Sequence, residues 1–347
     1  MTTFHIQPLD RQMEAEIRHT IDNLNKPKGS LGRLEELALQ VCLVQQTLKP
    51  SLAHPQHLLL GGDHGIECEG VSASPREVTW QQMVNFTRGG GGVNLFCRQH
   101  GFHLHIVDVG VDHDLSHIPG ITHCKIARGT RNFRHEPAMT DEELNQAFRV
   151  GSNLVDTCHR NHSRIICIGE MGIGNTSPSS VWMHLLGNIP LQQCIGAGSG
   201  LAADRLRHKH DILHEAVAKF RTTADTSILA VLRHFGGYEM VAAVAAMLRA
   251  AEHRMLILVD GFIMTACALA AVKLYPAAQD YMIFTHCGDE AGHRLLLDAL
   301  GARPLLNLGL RLGEGTGALC AFPLVDSAVR MINEMNNFDN AHITKYF

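Results

Sequence analysis

From Leu9 to Leu24 polar residues alternate with Met13, Ile17, Ile21 and Leu24 at helical spacing, and Lys26-Pro27-Lys28-Gly29 stops the pattern. A second helix is predicted after Ser30, a suitable N-cap, with Leu31, Leu34, Leu37, Ala38 and Val41 on one stripe. The first 48 residues thus read as a helical hairpin rather than the start of a sheet. Beyond them the pattern changes to short apolar runs at His57 to Leu60, His103 to Val107, Arg164 to Ile168, Met255 to Val259 and Tyr281 to Phe284. Helix-length segments, such as Thr140 to Cys158 and Gly237 to Ala251, separate them. Strands that are apolar throughout and alternate with helices belong to a parallel sheet covered on both faces. The predicted class is α/β, doubly wound.

Such folds bind ligands in the crevice beyond the carboxyl ends of their strands. The runs here end in Gly61-Gly62-Asp63-His64-Gly65, Asp108-Val109-Gly110, Gly169-Glu170-Met171-Gly172, Asp260-Gly261-Phe262 and Thr285-His286-Cys287-Gly288-Asp289. One such end would be a turn; five suggest a shared pocket.

Composition narrows the function classes. A length of 347 residues fits one large domain with a small one attached. With 30 basic against 34 acidic residues and no clustered Lys/Arg block, the net charge of -4 argues against nucleic acid as a partner. The longest apolar stretches, Met240 to Leu248 and Met264 to Val272, are half the roughly 20 residues a membrane helix needs, so no membrane span is expected. The start, Met1-Thr2-Thr3-Phe4-His5, carries no export signal, which makes the cytoplasm the expected compartment. The ten scattered cysteines lack any C-x-x-C and read as reduced, mostly buried side chains. The 23 histidines are many, yet the closest pairs, His159/His162 and His208/His210, belong to no recognisable metal framework, and no metal or cofactor is predicted.

Four glycine-rich segments carry the candidate chemistry. Gly89-Gly90-Gly91-Gly92 could cradle an anion with its amides if it leads into a helix near Val93; otherwise it is a flexible loop. Gly169 to Ser177 follows an apolar strand, and Asn175 and Thr176 supply donors near a helix start. Glu170 within it would suit ribose hydroxyls or a developing positive charge better than a phosphate. Gly196-Ala197-Gly198-Ser199-Gly200 is followed by Lys209, a cation able to neutralise phosphate or simply a solvated helix residue. In Leu312-Gly313-Glu314-Gly315-Thr316-Gly317 a lone carboxylate sits among glycines with Leu310, Leu312 and Ala318 nearby. Partial desolvation would raise its pKa towards that of a general base, although an exposed turn glutamate would look the same in sequence. Neither a P-loop nor a dinucleotide-binding G-x-G-x-x-G follows any strand.

Taken in order, several segments resemble the nicotinate-nucleotide:dimethylbenzimidazole phosphoribosyltransferases of the CobT type. They are Lys26-Pro27-x-Gly29-Ser30-Leu31-Gly32-Arg33-Leu34-Glu35, Asp63-His64-Gly65, Ser74-Pro75-x-x-Val78-Thr79, Thr87-Arg88-Gly89, Gly169-Glu170-x-Gly172-x-x-Asn175-Thr176, Asp260-Gly261-Phe262 and Arg311-Leu312-Gly313-Glu314-Gly315. The resemblance implies a Rossmann-like parallel sheet at 51–318 and a smaller helical domain built from residues 1–50 and 319–347. It also implies a homodimer with the active site near the interface. The activity it implies is transfer of phosphoribose from nicotinate mononucleotide to 5,6-dimethylbenzimidazole, giving α-ribazole 5′-phosphate and nicotinate with inversion, without a cofactor. Glu314 falls on the general base, and Ser74, Gln82 and Leu312 on the benzimidazole pocket. Glu170, Gly172, Asn175, Thr176, Lys209, Gly261 and Gly288 fall around the nucleotide.

Two positions depart from the family pattern. Gly288 replaces the usual serine, leaving only its backbone N–H to serve a phosphate, and the stretch between Gly198 and Lys209 is spelled differently. A rival expectation is a metal-dependent nucleotide or phosphoester hydrolase with Asp63, His64, His286, Asp289 and His293 as ligands.

Overall fold

All five apolar runs become strands of one six-stranded parallel sheet. The computed structural model describes residues 2–196 and 202–345. The chain runs through α1 (Glu14–Asp22), α2 (Arg33–Gln45), β1 (Gln56–Gly62), α3 (Glu77–Thr87), α4 (Gly92–His100), β2 (His103–Gly110), β3 (Ile121–His123) and α5 (Asp141–Arg160). Next come β4 (Ile165–Met171), α6 (Thr176–Gly187), α7 (Leu191–Cys194), α8 (Ala203–Phe220), α9 (Ile228–Phe235), α10 (Tyr238–Glu252) and β5 (Leu256–Val259). The chain closes with α11 (Phe262–Leu274), β6 (Met282–Phe284), α12 (His293–Ala299), α13 (Thr316–Glu334) and α14 (Phe338–Ala341).

Every residue of β1 is buried, so both of its faces are covered, as its unbroken apolar run predicts. The strand absent from the hydrophobic pattern is β3. Only Ile121 of its three residues is buried, too few for a period to register.

The strand order is β3-β2-β1-β4-β5-β6. The chain therefore builds outwards from β1 in one direction, then returns to build from its other side. The order reverses between β1 and β4, and in open α/β sheets the crevice at that reversal is where ligands bind. Gly61-Gly62 ends β1 there, and Glu170-Met171 ends β4.

The helical hairpin forms, with shifted starts. The first helix begins at Glu14 rather than Leu9, and the second is capped by Gly32 rather than Ser30. Gly29 and Gly32 both take positive φ, which builds the turn between the helices from residues without a Cβ penalty. A buried Lys26–Glu35 ion pair of 2.8 Å closes that turn. Thr140 caps α5, with Thr140 Oγ1 accepting from Glu143 N–H and the Glu143 carboxylate accepting from Thr140 N–H. The last long helix, α13, packs on α2 and also on β4 and β5. The α13–α2 packing supports the proposal of a small domain built from both chain ends. All ten cysteines are free, and seven are buried. Among the described residues no helix is long and apolar enough to cross a membrane.

Candidate active site

Beyond the carboxyl ends of β4 and β5, beside the reversal point, lies an open cleft. Its wall comes from the β4–α6 turn (Glu170, Gly172, Asn175, Thr176), from Lys209 on α8, from Gly261 at the head of α11, and from Leu312, Gly313 and Thr316. Seven of the eleven predicted site residues thus share one cavity. Ser74 and Gln82 do not line it; Val71, Ser72 and Ala73 do.

Glu314 owes its position to strain. It has φ +62°, between Gly313 at +84° and Gly315 at +80°, so a glutamate occupies the left-handed region that L-residues avoid. Surrounding contacts hold it there. The Asp260 carboxylate, at the end of β5, accepts from Gly315 N–H (3.1 Å) and Ala318 N–H (2.9 Å). A Cβ at Gly169 would run into the Glu314 carbonyl, one at Gly315 into the His57 ring, and one at Gly317 into the His286 ring. The side chain is 6 % exposed, and its Oε2 accepts from Val93 N–H at 3.0 Å, in the first turn of α4. Burial pushes the carboxyl above its ordinary pKa and nearby Asp260 adds to this, while the Val93 and Gly92 amides oppose them. The glycine run ahead of α4 spends its amides locally, a correction to the expectation of an anion-cradling loop: Gly89 N–H donates to Phe86 O, Gly90 N–H to Asn85 O and Gly91 N–H to Asn94 Oδ1, while the Val93 amide beyond them serves Glu314.

Lys209 provides the positive counterpart. It is 0 % exposed, rather than a solvated helix residue, and its Nζ donates to Thr176 Oγ1 at 2.9 Å in the first turn of α6. Among the described residues no carboxylate pairs with it. Burial lowers its pKa to about 8, which leaves it mostly charged at neutral pH. An ammonium held away from water without an anion is costly, and the adjacent helix N-terminus has the same need. Lys209 and the head of α6 thus concentrate positive charge and N–H donors at one end of the cleft. The segment Ala197-Gly198-Ser199-Gly200 that the sequence associates with Lys209 lies outside the described residues.

Glu170, 7 % exposed, accepts from Asn175 Nδ2. Its carboxyl is pushed up to about 8, first by burial and then by the charges of Glu239 and Asp260. A carboxyl that is mostly protonated at neutral pH can lie beside a phosphate, which an ionised one would repel.

Gly288 departs from its expectation. Its N–H donates to His293 Nδ1 at 2.8 Å and is not free for a phosphate. Burial keeps His293 neutral, with a pKa lowered to about 3, so Nδ1 accepts while Nε2–H faces Thr265 Oγ1 at 3.1 Å.

The hydrolase expectation loses its ligands to other tasks. Asp63 accepts from Asp112 N–H at 2.8 Å, His64 pairs with Glu239 at 2.7 Å, and His293 holds Gly288. Among the described residues no group of three or more His, Cys, Asp or Glu side chains is arranged to hold a metal ion.

Gln82 has a connected place, although away from the cleft wall. Its Oε1 accepts from Asn85 Nδ2 at 3.1 Å, and the Asn85 side chain lies against Gly90, which opens the turn into α4. Sequence reasoning placed Asp260 at a strand end of the shared pocket but gave it no role; its role is to hold the Gly315 and Ala318 amides.

A profile of the family described as phosphoribosyltransferase matches residues 6–343. A nicotinate-nucleotide–dimethylbenzimidazole phosphoribosyltransferase of Bacteroides fragilis is 57 % identical over 347 residues, covering 100 % of both chains. The chain belongs to this phosphoribosyltransferase family. A Dechloromonas aromatica member with the same name is 46 % identical over 345 residues, 99 % of each chain. The crystal structure of CobT from Thermus thermophilus superposes with a TM-score of 0.92 at 37 % identity, covering 96 % of this chain and 100 % of that one. The hydrolase reading is set aside, and the chain is a phosphoribosyltransferase on an α/β fold.

Proposed function

We propose that this family member transfers the phosphoribosyl group of nicotinate mononucleotide to 5,6-dimethylbenzimidazole or a related base, as in assembly of the cobalamin nucleotide loop. The observation that carries this reading is one cleft pairing a buried ammonium, without a carboxylate partner among the described residues, with the strained turn that holds a buried carboxylate. Lys209 and the head of α6 take the 5′-phosphate, while Glu170, Gly172, Asn175 and Gly261 surround the ribose. Leu312 faces the incoming base, Ser74 and Gln82 contribute to its pocket, and Glu314 accepts its proton.

The chemistry fits those parts. The bond from C1′ to the nicotinate ring nitrogen breaks, and its electron pair neutralises the positive pyridinium, so the leaving group needs no acid. A benzimidazole nitrogen bonds to C1′ from the opposite face, inverting that centre, and the N–H proton passes to the Glu314 carboxylate. The protein's work is positioning and proton removal.

The test is to incubate the purified protein with nicotinate mononucleotide and dimethylbenzimidazole and separate the products by chromatography and mass. An α-ribazole phosphate is expected. No product with this base, with adenine or with a methoxybenzimidazole would end the transferase assignment.

A homodimer in the cytoplasm completes the proposal. Leu308 (58 % exposed), Leu312 (61 %) and Leu95 (52 %) are large apolar side chains left in solvent, Leu312 at the cleft and Leu95 on α4. A second copy covering them accounts for that exposure. Sedimentation should give twice the chain mass of 38.1 kDa, and a monomer mass would remove the dimer.

A further inference from the structure

One polar ring in the wall of the cleft has no task in the proposed reaction. His286 follows β6 and lines the cleft, with its side chain 4 % exposed. Its neighbours fix which way the ring faces. Nδ1 lies 3.3 Å from Thr285 Oγ1, whose own hydrogen is donated to Val259 O at 2.7 Å. Nδ1 also lies 3.7 Å from Asp260 Oδ1, which accepts from Ala318 N–H. Both neighbours offer lone pairs, so the ring proton belongs on Nδ1. Two glycines leave the room that the ring occupies. A Cβ on Gly317, in the first turn of α13, would come within 2.1 Å of Cε1, and one on Gly261, at the head of α11, would stand 3.4 Å from Nε2.

Nε2 is the end of the ring that remains. The nearby His293 ring, 6.1 Å away and nearly perpendicular, does not serve it, because its nitrogens are engaged with Gly288 N–H and Thr265 Oγ1. Among the described residues no group hydrogen-bonds His286 Nε2, and that atom keeps contact with the cleft. With Nδ1 protonated, Nε2 presents a lone pair beside Gly261, and what satisfies it is a donor. In nicotinate mononucleotide the phosphate and the ring carboxylate, ionised at neutral pH, offer acceptors. The O–H donors belong to the ribose.

We propose that His286 Nε2 accepts a hydrogen bond from a ribose hydroxyl of the nucleotide, so that His286 distinguishes a ribonucleotide from its deoxy counterpart. This role rests on the cleft being the site for nicotinate mononucleotide. A pocket built around a hydroxyl rejects the ligand that lacks it, because its own polar atom is then left unpaired. Asp260 stands behind the ring and also holds the Gly315 and Ala318 amides, so the sugar contact and the turn carrying Glu314 share one support.

Calorimetry on the full chain tests this, with nicotinate mononucleotide and its 2′-deoxy and 3′-deoxy analogues as ligands. The unaltered protein should bind one of the two analogues about three- to tenfold more weakly than the ribonucleotide, the scale of one neutral hydrogen bond. His286→Asn keeps an amide at the Nδ1 position and leaves nothing at Nε2. It should lose affinity for the ribonucleotide by that same factor and bind the discriminated analogue as the unaltered protein does. In His286→Gln the longer side chain brings an amide oxygen to the Nε2 position, and discrimination should largely return. Where the asparagine variant does not fold, His286→Phe, which keeps a ring without its nitrogens, carries the same comparison.

An equal loss for all three ligands overturns the proposal, since it marks a packing role or a contact with the phosphate that all three share. Unaltered protein that binds the three alike overturns it as well, and leaves the nucleotide reading of the cleft standing. If the unaltered protein binds none of them, that reading itself fails and takes the role of His286 with it.

Discussion

Replacing Glu314 with glutamine is expected to lower turnover by about 10²–10⁴-fold, the range of a general base, with little change in nicotinate mononucleotide binding. Glutamine keeps the size of the side chain and an oxygen for the Val93 N–H, which now accounts for the bond at 3.0 Å. What it removes is the capacity to take a proton. The pH profile gives an independent check. A base must be ionised to act, and burial raises the Glu314 carboxyl above its usual range, so activity should fall as pH is lowered through that raised value. The acid limb should therefore lie above that of an exposed glutamate and should vanish in the variant. A glutamine variant with unimpaired turnover would remove Glu314 from the mechanism.

Replacing Lys209 with methionine should raise the KM for nicotinate mononucleotide by about ten- to a hundredfold, the factor carried by a charged hydrogen bond of roughly 1.5–3 kcal/mol. Turnover at saturation should change far less, because the phosphate is remote from the bonds that change. Methionine fills the same buried space without an unpaired charge, so thermal stability should hold or rise. The unaltered enzyme should also lose nucleotide affinity as pH rises through about 8, where the ammonium gives up its proton. In the methionine variant that loss should be shallower, since Glu170 alone then titrates there. Steady-state kinetics across pH and a melting curve check both statements. A normal KM combined with a fall in stability would make Lys209 a packing residue only.

The parts of the site that were legible in sequence are those that depend on strand ends and local backbone chemistry. Gly169 to Thr176 could be placed because an apolar run followed by small residues and amide or hydroxyl donors describes a strand passing into a helix head, as β4 and α6 do. Glu314 could be singled out because glycines on both sides mark a backbone that no ordinary side chain would share, and all three residues at 313–315 do take positive φ. The partners of these groups were not legible. Gly89 to Gly92 looked like a cradle for a ligand because the sequence does not show the turn in which Phe86 O, Asn85 O and Asn94 Oδ1 take the amides of Gly89, Gly90 and Gly91. The Val93 amide goes to Glu314, 221 residues away. Gly288 looked available for a phosphate because the sequence does not show that α12 folds His293, only five positions on, back onto its N–H.

By itself, then, the sequence determined the periodicity of the elements, their alternation, the α/β class and the order in which the chemistry-bearing strand ends occur. These follow from side-chain spacing and backbone freedom, which act within a few residues. Only the tertiary structure decided that Lys209 is dry, that Asp260 pins the turn carrying Glu314, and that His64 meets Glu239. Burial and pairing of charges depend on which distant segments close over a residue, and it is the return of the chain from β3 to β4 beside β1 that brings those segments together.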